Sequence, residues 1–229
     1  MMEILKISKK NSREIIKIAK KAILEGKVLI FPTDTVYGLL CDATNQKAVN
    51  RLFKIKKREK NKALPIFVKD LKMAKEFSII GKKEERVLKK LWPGKVTIVF
   101  KKKRNKKLYG VEKETIALRI PKYKILNELL SAVKKPLTGT SANISGKPSS
   151  IKIKEVISQF SSRGESVLSG KNKKDVPDIV FNAGNLKKSL PSTIIDLTGK
   201  EIKILRKGVV KVNSLPYYNE KFNHKKNRS

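Results

Sequence analysis

Two polar insertions in apolar surroundings carry most of the chemistry this sequence can offer. The first, Pro32-Thr33-Asp34-Thr35-Val36-Tyr37-Gly38-Leu39, follows the apolar run at residues 28–31. The second is Thr138-Gly139-Thr140-Ser141-Ala142-Asn143-Ile144-Ser145-Gly146-Lys147-Pro148-Ser149. Hydroxyls and backbone amides released at the end of a strand, with a helix to follow, suit a small anionic ligand. Turns in any protein also collect Thr, Asp, Ser and Gly, so either stretch alone is an ordinary turn. Cations complete the set. Lys56 and Arg58 end a basic helix pattern. If the chain opens into a loop there, both can reach a polyphosphate, Lys as a point charge and Arg as a fork. The competing reading is a solvated helix end favoured by the helix dipole. Arg119 interrupts the strand pattern Thr115-Ile116-Ala117-Leu118, where an unpaired charge is costly. It needs a protein carboxylate or an anionic ligand.

Counting excludes other chemistries. The sole His, His224, sits in the polar C-terminal stretch, so a core histidine base or a Ser-His-Asp triad is ruled out. The single Cys, Cys41, excludes an intrachain disulfide framework and a cysteine-cluster metal site, and is expected to be a small packing residue. Asp34 could orient water, Mg2+ or another side chain, but one Asp does not define a metal site. There is no GxxxxGK[ST] and no GxGxxG. The 229 residues carry 55 Lys+Arg against 20 Asp+Glu, a formal charge of +35. Such a field attracts polyanions, although lysines scattered over helix faces equally describe a solvated surface. No apolar run reaches the length of a membrane span, and the N-terminus lacks a signal-peptide segment. A reduced, soluble, cytoplasmic protein is expected.

The elements that must position these groups follow from periodicity. Strands are predicted at residues 4–7, 28–31, 64–68, 96–100, 115–120, 179–181, 193–197 and 202–205. Asn11 with Glu14 resembles a capping box, opening a helix with Ile15, Ile18, Ala19, Ala22 and Ile23 on one face and Gly26 at its end. Thr44 or Asn45 caps a second helix, with Ala48, Val49, Leu52 and Phe53 inward, and Asp70 a third. Further helices carry Val87, Leu88 and Leu91, then residues 125–133, then Val156, Ile157 and Phe160, with Trp92-Pro93-Gly94 stopping the first of these. The pattern predicts one compact α/β domain over residues 1–210 and a polar basic tail over 211–229.

The motifs have a family likeness. Residues 32–39, Lys56-Lys57-Arg58, Leu91-Trp92-Pro93-Gly94-Lys95-Val96-Thr97 and Ala117-Leu118-Arg119-Ile120-Pro121 resemble those of the YrdC/Sua5 family. So do Thr140-Ser141-Ala142-Asn143-Ile144-Ser145-Gly146, Pro191-Ser192-Thr193-Ile194-Ile195-Asp196 and Ile204-Leu205-Arg206-Lys207-Gly208, all in the family's order. The resemblance covers roughly residues 15–210 and implies a twisted mixed sheet with flanking helices around a concave basic cavity. It implies an L-threonylcarbamoyladenylate synthase of the short bacterial form. That reaction joins L-threonine, bicarbonate or CO2, and ATP into threonylcarbamoyl-AMP, releasing pyrophosphate and water, and serves adenosine 37 of tRNA. Mg2+ is expected to accompany ATP, no protein metal site is implied, and the product passes to a tRNA threonylcarbamoyl transferase.

The resemblance also distributes roles. It implies Lys56, Arg58 and Arg119 as catalytic cations. Lys56, Arg58, Lys60, Thr115, Ser141, Asn143, Ser149 and Arg206 fall to ATP, and Thr33, Arg119, Gly139 and Ser192 to threonine. Two departures stand out: Glu59 follows Arg58 where relatives usually carry Pro, and Phe67 lies near the point where long archaeal-type relatives carry a His. The alternative is a module for structured RNA, which the charge favours and the lack of an RNP-like aromatic strand or a KH-type GxxG setting disfavours.

Overall fold

A computed structural model describes residues 2–161, 175–199 and 201–211. The chain forms strands β1 (Glu3–Lys6), β2 (Leu29–Phe31), β3 (Gly38–Leu40), β4 (Ile66–Phe67), β5 (Val96–Lys101) and β6 (Thr115–Arg119). They continue with β7 (Leu137–Thr138), β8 (Thr140–Ser141), β9 (Ile179–Asn182), β10 (Thr193–Asp196) and β11 (Lys203–Arg206). The helices are α1 (Ser12–Leu24), α2 (Gln46–Lys56), α3 (Leu71–Phe77), α4 (Lys82–Leu91), α5 (Lys124–Val133) and α6 (Ile153–Phe160). The expected α/β class holds. The single mixed sheet does not: there are two, in the orders β1-β9-β2-β3-β8 and β11-β10-β5-β6-β4-β7. Each mixes parallel and antiparallel neighbours.

The strands that periodicity misses are β3, β7 and β8, each too short for an alternation to register. The polar turn at Thr33 leads not into a helix but into β3, which returns antiparallel on β2 with Phe31 opposite Gly38. The opening stretch is therefore a hairpin loop, and the expected strand-to-helix anion site is absent there. Strands β7 and β8 flank Gly139, where the chain passes from one sheet to the other: Leu137 pairs with Phe67 in the six-stranded sheet and Ser141 with Gly38 in the five-stranded one. The Gly139 N–H donates to the Pro65 carbonyl at 2.7 Å. A Cβ at this glycine would lie 3.0 Å from the Phe67 ring, so only a bare backbone fits against that aromatic.

Capping follows sequence in two cases out of three. Asn45 Oδ1 accepts from the Ala48 N–H and Asp70 Oδ1 from the Met73 N–H. Asn11 departs from expectation. Its Oδ1 accepts from the Ser8 N–H and its Nδ2 donates to the Lys6 carbonyl, tying the end of β1 to the start of α1 instead of capping the helix. Buried Tyr37 is a core aromatic whose hydroxyl donates to the Gly184 carbonyl at 2.6 Å, and burial pushes it up to about 12. Cys41 is buried and likewise pushed up to about 12, as a packing thiol should be. Among the described residues no helix is long and apolar enough to cross a membrane. Most of the predicted tail, including His224, lies outside the described residues.

Candidate active site

Arg119 is tightly held. It closes β6 beside Phe67 of β4 and is 3% exposed. Its Nη2 donates to Asp34 Oδ1 at 2.5 Å, its Nε to the Gly94 carbonyl at 2.8 Å, and its Nη1 to Thr35 Oγ1 at 3.4 Å. Asp34 is equally buried, and its other oxygen accepts from the Lys122 N–H at 3.0 Å. The partner left open by the sequence is thus a protein carboxylate from the hairpin loop. Desolvation lowers the guanidinium's pKa and the Asp34 charge opposes this, so the charged form persists. The Phe67 ring lies under the guanidinium, 5.7 Å from centroid to Cζ. Three of the five guanidinium N–H groups are engaged by these bonds, which leaves two donors on a residue that lines the cavity described below.

The hairpin loop is stitched by its own hydroxyls. Thr33 Oγ1 donates to the Val36 carbonyl at 2.7 Å and accepts from the Thr35 N–H at 3.0 Å. Its single proton is therefore committed to the loop, and toward a ligand it can act only as an acceptor.

The competing reading of Lys56, a solvated helix end, does not hold. The residue is 2% exposed, and its Nζ donates to the Ser141 carbonyl at 2.7 Å, the Asn143 carbonyl at 3.0 Å and Asn143 Oδ1 at 2.9 Å. Spacing explains the burial: Val49, Leu52, Phe53 and Lys56 share one helical stripe. Lys57, at φ 50° and ψ 44°, then turns the chain so that Arg58 leaves the helix. Arg58 donates from Nε to the Lys62 carbonyl and from Nη2 to the Ala63 carbonyl, which orients it across the loop.

Burial, aided by the nearby Arg58 charge, pushes the Lys56 ammonium down to about 7. Between that value and the ordinary 10.5, the unfolded chain holds a proton that the folded chain sheds, so stability rises with pH across this window. Lys56→Met removes the contribution. In urea titrations, wild type is expected to gain stability relative to the variant from pH 6 to pH 9, whereas parallel profiles would contradict this.

The loop after β8 closes around Lys56. Ser141 Oγ donates to Asn143 Oδ1 at 2.6 Å, and Asn143 Nδ2 to the Ile144 and Lys147 carbonyls. On the opposite wall, Ser192 Oγ meets Thr97 Oγ1 at 2.8 Å, and Arg206 Nη2 reaches the Ser192 carbonyl at 2.8 Å and its hydroxyl at 3.1 Å. Thr97, behind Ser192, was not anticipated from sequence. Its polar side chain in the apolar strand β5 was the available signal.

These groups share one cavity of about 560 Å³. Its wall includes Thr33, Lys56, Arg58, Thr115 and Arg119. It also includes Gly139, Ser141, Asn143, Ser192 and Arg206, with Val99, Ala117 and Ile194 as apolar members. Lys60 and Ser149 do not belong to this wall: Lys60 is exposed and Ser149 half-buried elsewhere. Both departures from the family pattern do lie on it. Glu59 pairs with Lys62 at 2.9 Å, and Phe67 packs against Gly139 and Arg119. Among the described residues, no group of three or more His, Cys, Asp or Glu could hold a metal ion.

The profile of the family described as "Telomere recombination", comprising Sua5, YciO and YrdC, matches residues 21–208. The chain belongs to the Sua5/YciO/YrdC family. A Methanocaldococcus jannaschii protein provisionally named threonylcarbamoyl-AMP synthase is 35% identical over 215 residues, 94% of this chain and 96% of that protein. The Pyrococcus abyssi threonylcarbamoyl-AMP synthase is 33% identical over 198 residues, covering 84% of this chain but only 54% of its own length. In structure, P. abyssi Sua5 in complex with L-threonine superposes with a TM-score of 0.74 at 29% identity, over 91% of this chain and 57% of that one. Escherichia coli YciO, with a TM-score of 0.78 over 94% of this chain and 100% of its own, is 24% identical and shows the shared fold alone. The family member described here is thus a Sua5/YrdC domain whose cavity joins its two sheets.

Proposed function

We propose that this Sua5/YrdC domain is an L-threonylcarbamoyladenylate synthase, using the concave cavity as a single chamber for ATP and a threonine-derived anion. The observation that carries the reading is the convergence of Arg58, Arg119 and Arg206 with Lys56 on one cavity, separated by hydroxyls and a short apolar floor. Two proteins matched over most of this chain bear the synthase name, one of them provisionally, and P. abyssi Sua5 was solved with L-threonine.

The chemistry asked of the site is modest. The threonine amine adds to CO2 and loses a proton, giving a carbamate. A carbamate oxygen then attacks the α-phosphorus of ATP, and pyrophosphate leaves from the opposite side. That oxygen is already anionic, so no histidine base is needed. What remains is to hold several anions together and offset charge on the phosphoryl group and the leaving pyrophosphate. Arg119, with its rear edge fixed by Asp34 and Gly94, presents its remaining donors to the threonine carboxylate or the carbamate. Arg58 and Arg206 take the nucleotide side. Lys56 fixes the 141–147 loop, and an anion beside it favours its charged form. Mg2+ is assigned to the triphosphate.

Purified protein given threonine, bicarbonate and ATP is expected to form threonylcarbamoyl-AMP, and omission of any one substrate to abolish it. Arg58→Ala should lower the rate by about 100-fold or more, as loss of a preorganised charge-stabilising donor does. Pyrophosphate release that ignores threonine and bicarbonate would contradict the reading.

A second reading, docking of structured RNA, draws on a shallow groove rimmed by Lys101, Lys102, Lys103 and Arg104. It adjoins the cavity at Thr115, which lines both. The two readings coexist if tRNA receives the product near the site. RNA binding that weakens steeply with salt, without threonine-dependent ATP turnover, would favour the second alone.

A further inference from the structure

Hydrogen-bond accounting singles out Ser145. In the loop around Lys56, the side-chain groups of Ser141 and Asn143 are engaged, and the Lys56 ammonium has three acceptors. Ser145 belongs to the same loop, and its N–H donates to the Lys56 carbonyl at 2.8 Å. Its hydroxyl, however, is buried with no partner. Among the described residues only one other buried side-chain atom is in this state, Asn127 Oδ1, and Asn127 is not on the cavity wall.

A buried hydroxyl without a partner costs free energy that a packed apolar group would not. Such an orphan persists where it serves something besides folding. Its surroundings indicate what that is. Ser145 and Gly146 both line the cavity, as does Arg58, two residues beyond the Lys56 carbonyl that Ser145 grips. Gly146 adopts φ +84°, and an added Cβ would meet nothing within 4 Å, so the backbone there borders open space. The Gly146 N–H has no acceptor among the described residues. Ser145 and Gly146, consecutive in the chain, thus bring one hydroxyl proton and one backbone N–H to a wall that also carries a guanidinium. Both are donors, and the ligand class they suit is a phosphoryl oxygen.

We propose that Ser145 is a further polyphosphate-binding residue, its hydroxyl donating with the Gly146 N–H to a phosphoryl oxygen held by Arg58. The inference rests on the nucleotide side of the proposed function and deepens it. It does not require that threonine be the second substrate. The hydroxyl gains its partner when the anion arrives.

Ser145→Ala separates this from a structural role because stability and binding should move in different directions. The melting temperature of the variant is expected to match or exceed that of wild type, since a partnerless hydroxyl has been removed. Calorimetric titration with ATP, and separately with inorganic pyrophosphate, should show about tenfold weaker binding of each, the loss typical of one hydrogen bond to a charged group. Ser145→Thr, which keeps the hydroxyl, should recover most of the affinity. Unchanged affinity in Ser145→Ala would overturn the proposal. So would weaker binding accompanied by a lower melting temperature, which would make the hydroxyl part of the loop's own scaffold. Failure of the synthase reading would show itself separately, as wild type that binds ATP but makes no adenylate from threonine and bicarbonate.

Discussion

Arg119→Met is expected to cost about 3–5 kcal/mol of folding stability and to eliminate detectable adenylate formation, the largest single loss on the cavity wall. The stability cost comes from Asp34, whose 5% exposed side chain would keep its negative charge in the interior without the guanidinium at 2.5 Å. The hairpin loop suffers as well, because Thr35 loses the Nη1 contact and Gly94 loses the donor to its carbonyl. The activity cost has a different origin, the loss of the only buried guanidinium among the described residues that faces the cavity. A second substitution separates the two. Arg119→Met with Asp34→Asn removes the stranded carboxylate, so chemical denaturation should show most of the stability restored. Product formation should stay absent. Recovery of both would mean that Arg119 acts only as a strut for the loop.

Gly208→Ala is expected to be nearly as damaging, although no charge is touched. A Cβ at this position would lie 2.4 Å from the Pro191 carbonyl oxygen, 2.5 Å from the Ser192 carbonyl carbon and 2.5 Å from the Thr193 nitrogen. All three are backbone atoms at the start of β10, so no side chain can swing aside to make room. The segment after β11 must therefore move away, taking with it the Val209 N–H that donates to the Pro191 carbonyl and the Val210 N–H that donates to Thr193 Oγ1. Arg206, whose bonds to Ser192 depend on that approach, loses its position on the cavity wall. Overpacking of this kind costs about 1–3 kcal/mol or more. Thermal unfolding should report that loss, and the ATP KM should rise more than the threonine KM because Arg206 stands on the nucleotide side. A variant as stable and as active as wild type would contradict the packing described here.

Arg119 also shows what could be read in advance. A charge at the end of an apolar strand demanded an anionic partner, and the family resemblance implied a place beside threonine. Which partner it takes could not be read, because Asp34 lies 85 residues away and reaches Arg119 only through the meeting of the two sheets. Lys56 shows a different limit. The sequence left a solvated helix end as the competing reading to a phosphate-reaching cation, and the structure rejects it because the residue continues the apolar stripe by one turn. Strands β3, β7 and β8 escaped periodicity because the first has three residues and the others two each, too few for an alternation to register. Their pairing is a long-range property: β8 meets β3 across about a hundred residues of chain. Ser145 looked like any turn serine, and only the complete hydrogen-bond account of its loop distinguishes it.

The central claim is that a threonine-derived carbamate oxygen and the α-phosphorus of ATP meet inside this cavity. Oxygen-18-labelled bicarbonate tests it directly, when supplied with threonine and ATP and sampled before the label exchanges with water. Phosphorus NMR of the adenylate should show the heavy isotope in the bridge between carbon and the α-phosphorus, with one pyrophosphate released per adenylate. An adenylate whose phosphorus carries no label, or pyrophosphate released with no adenylate at all, would contradict the account.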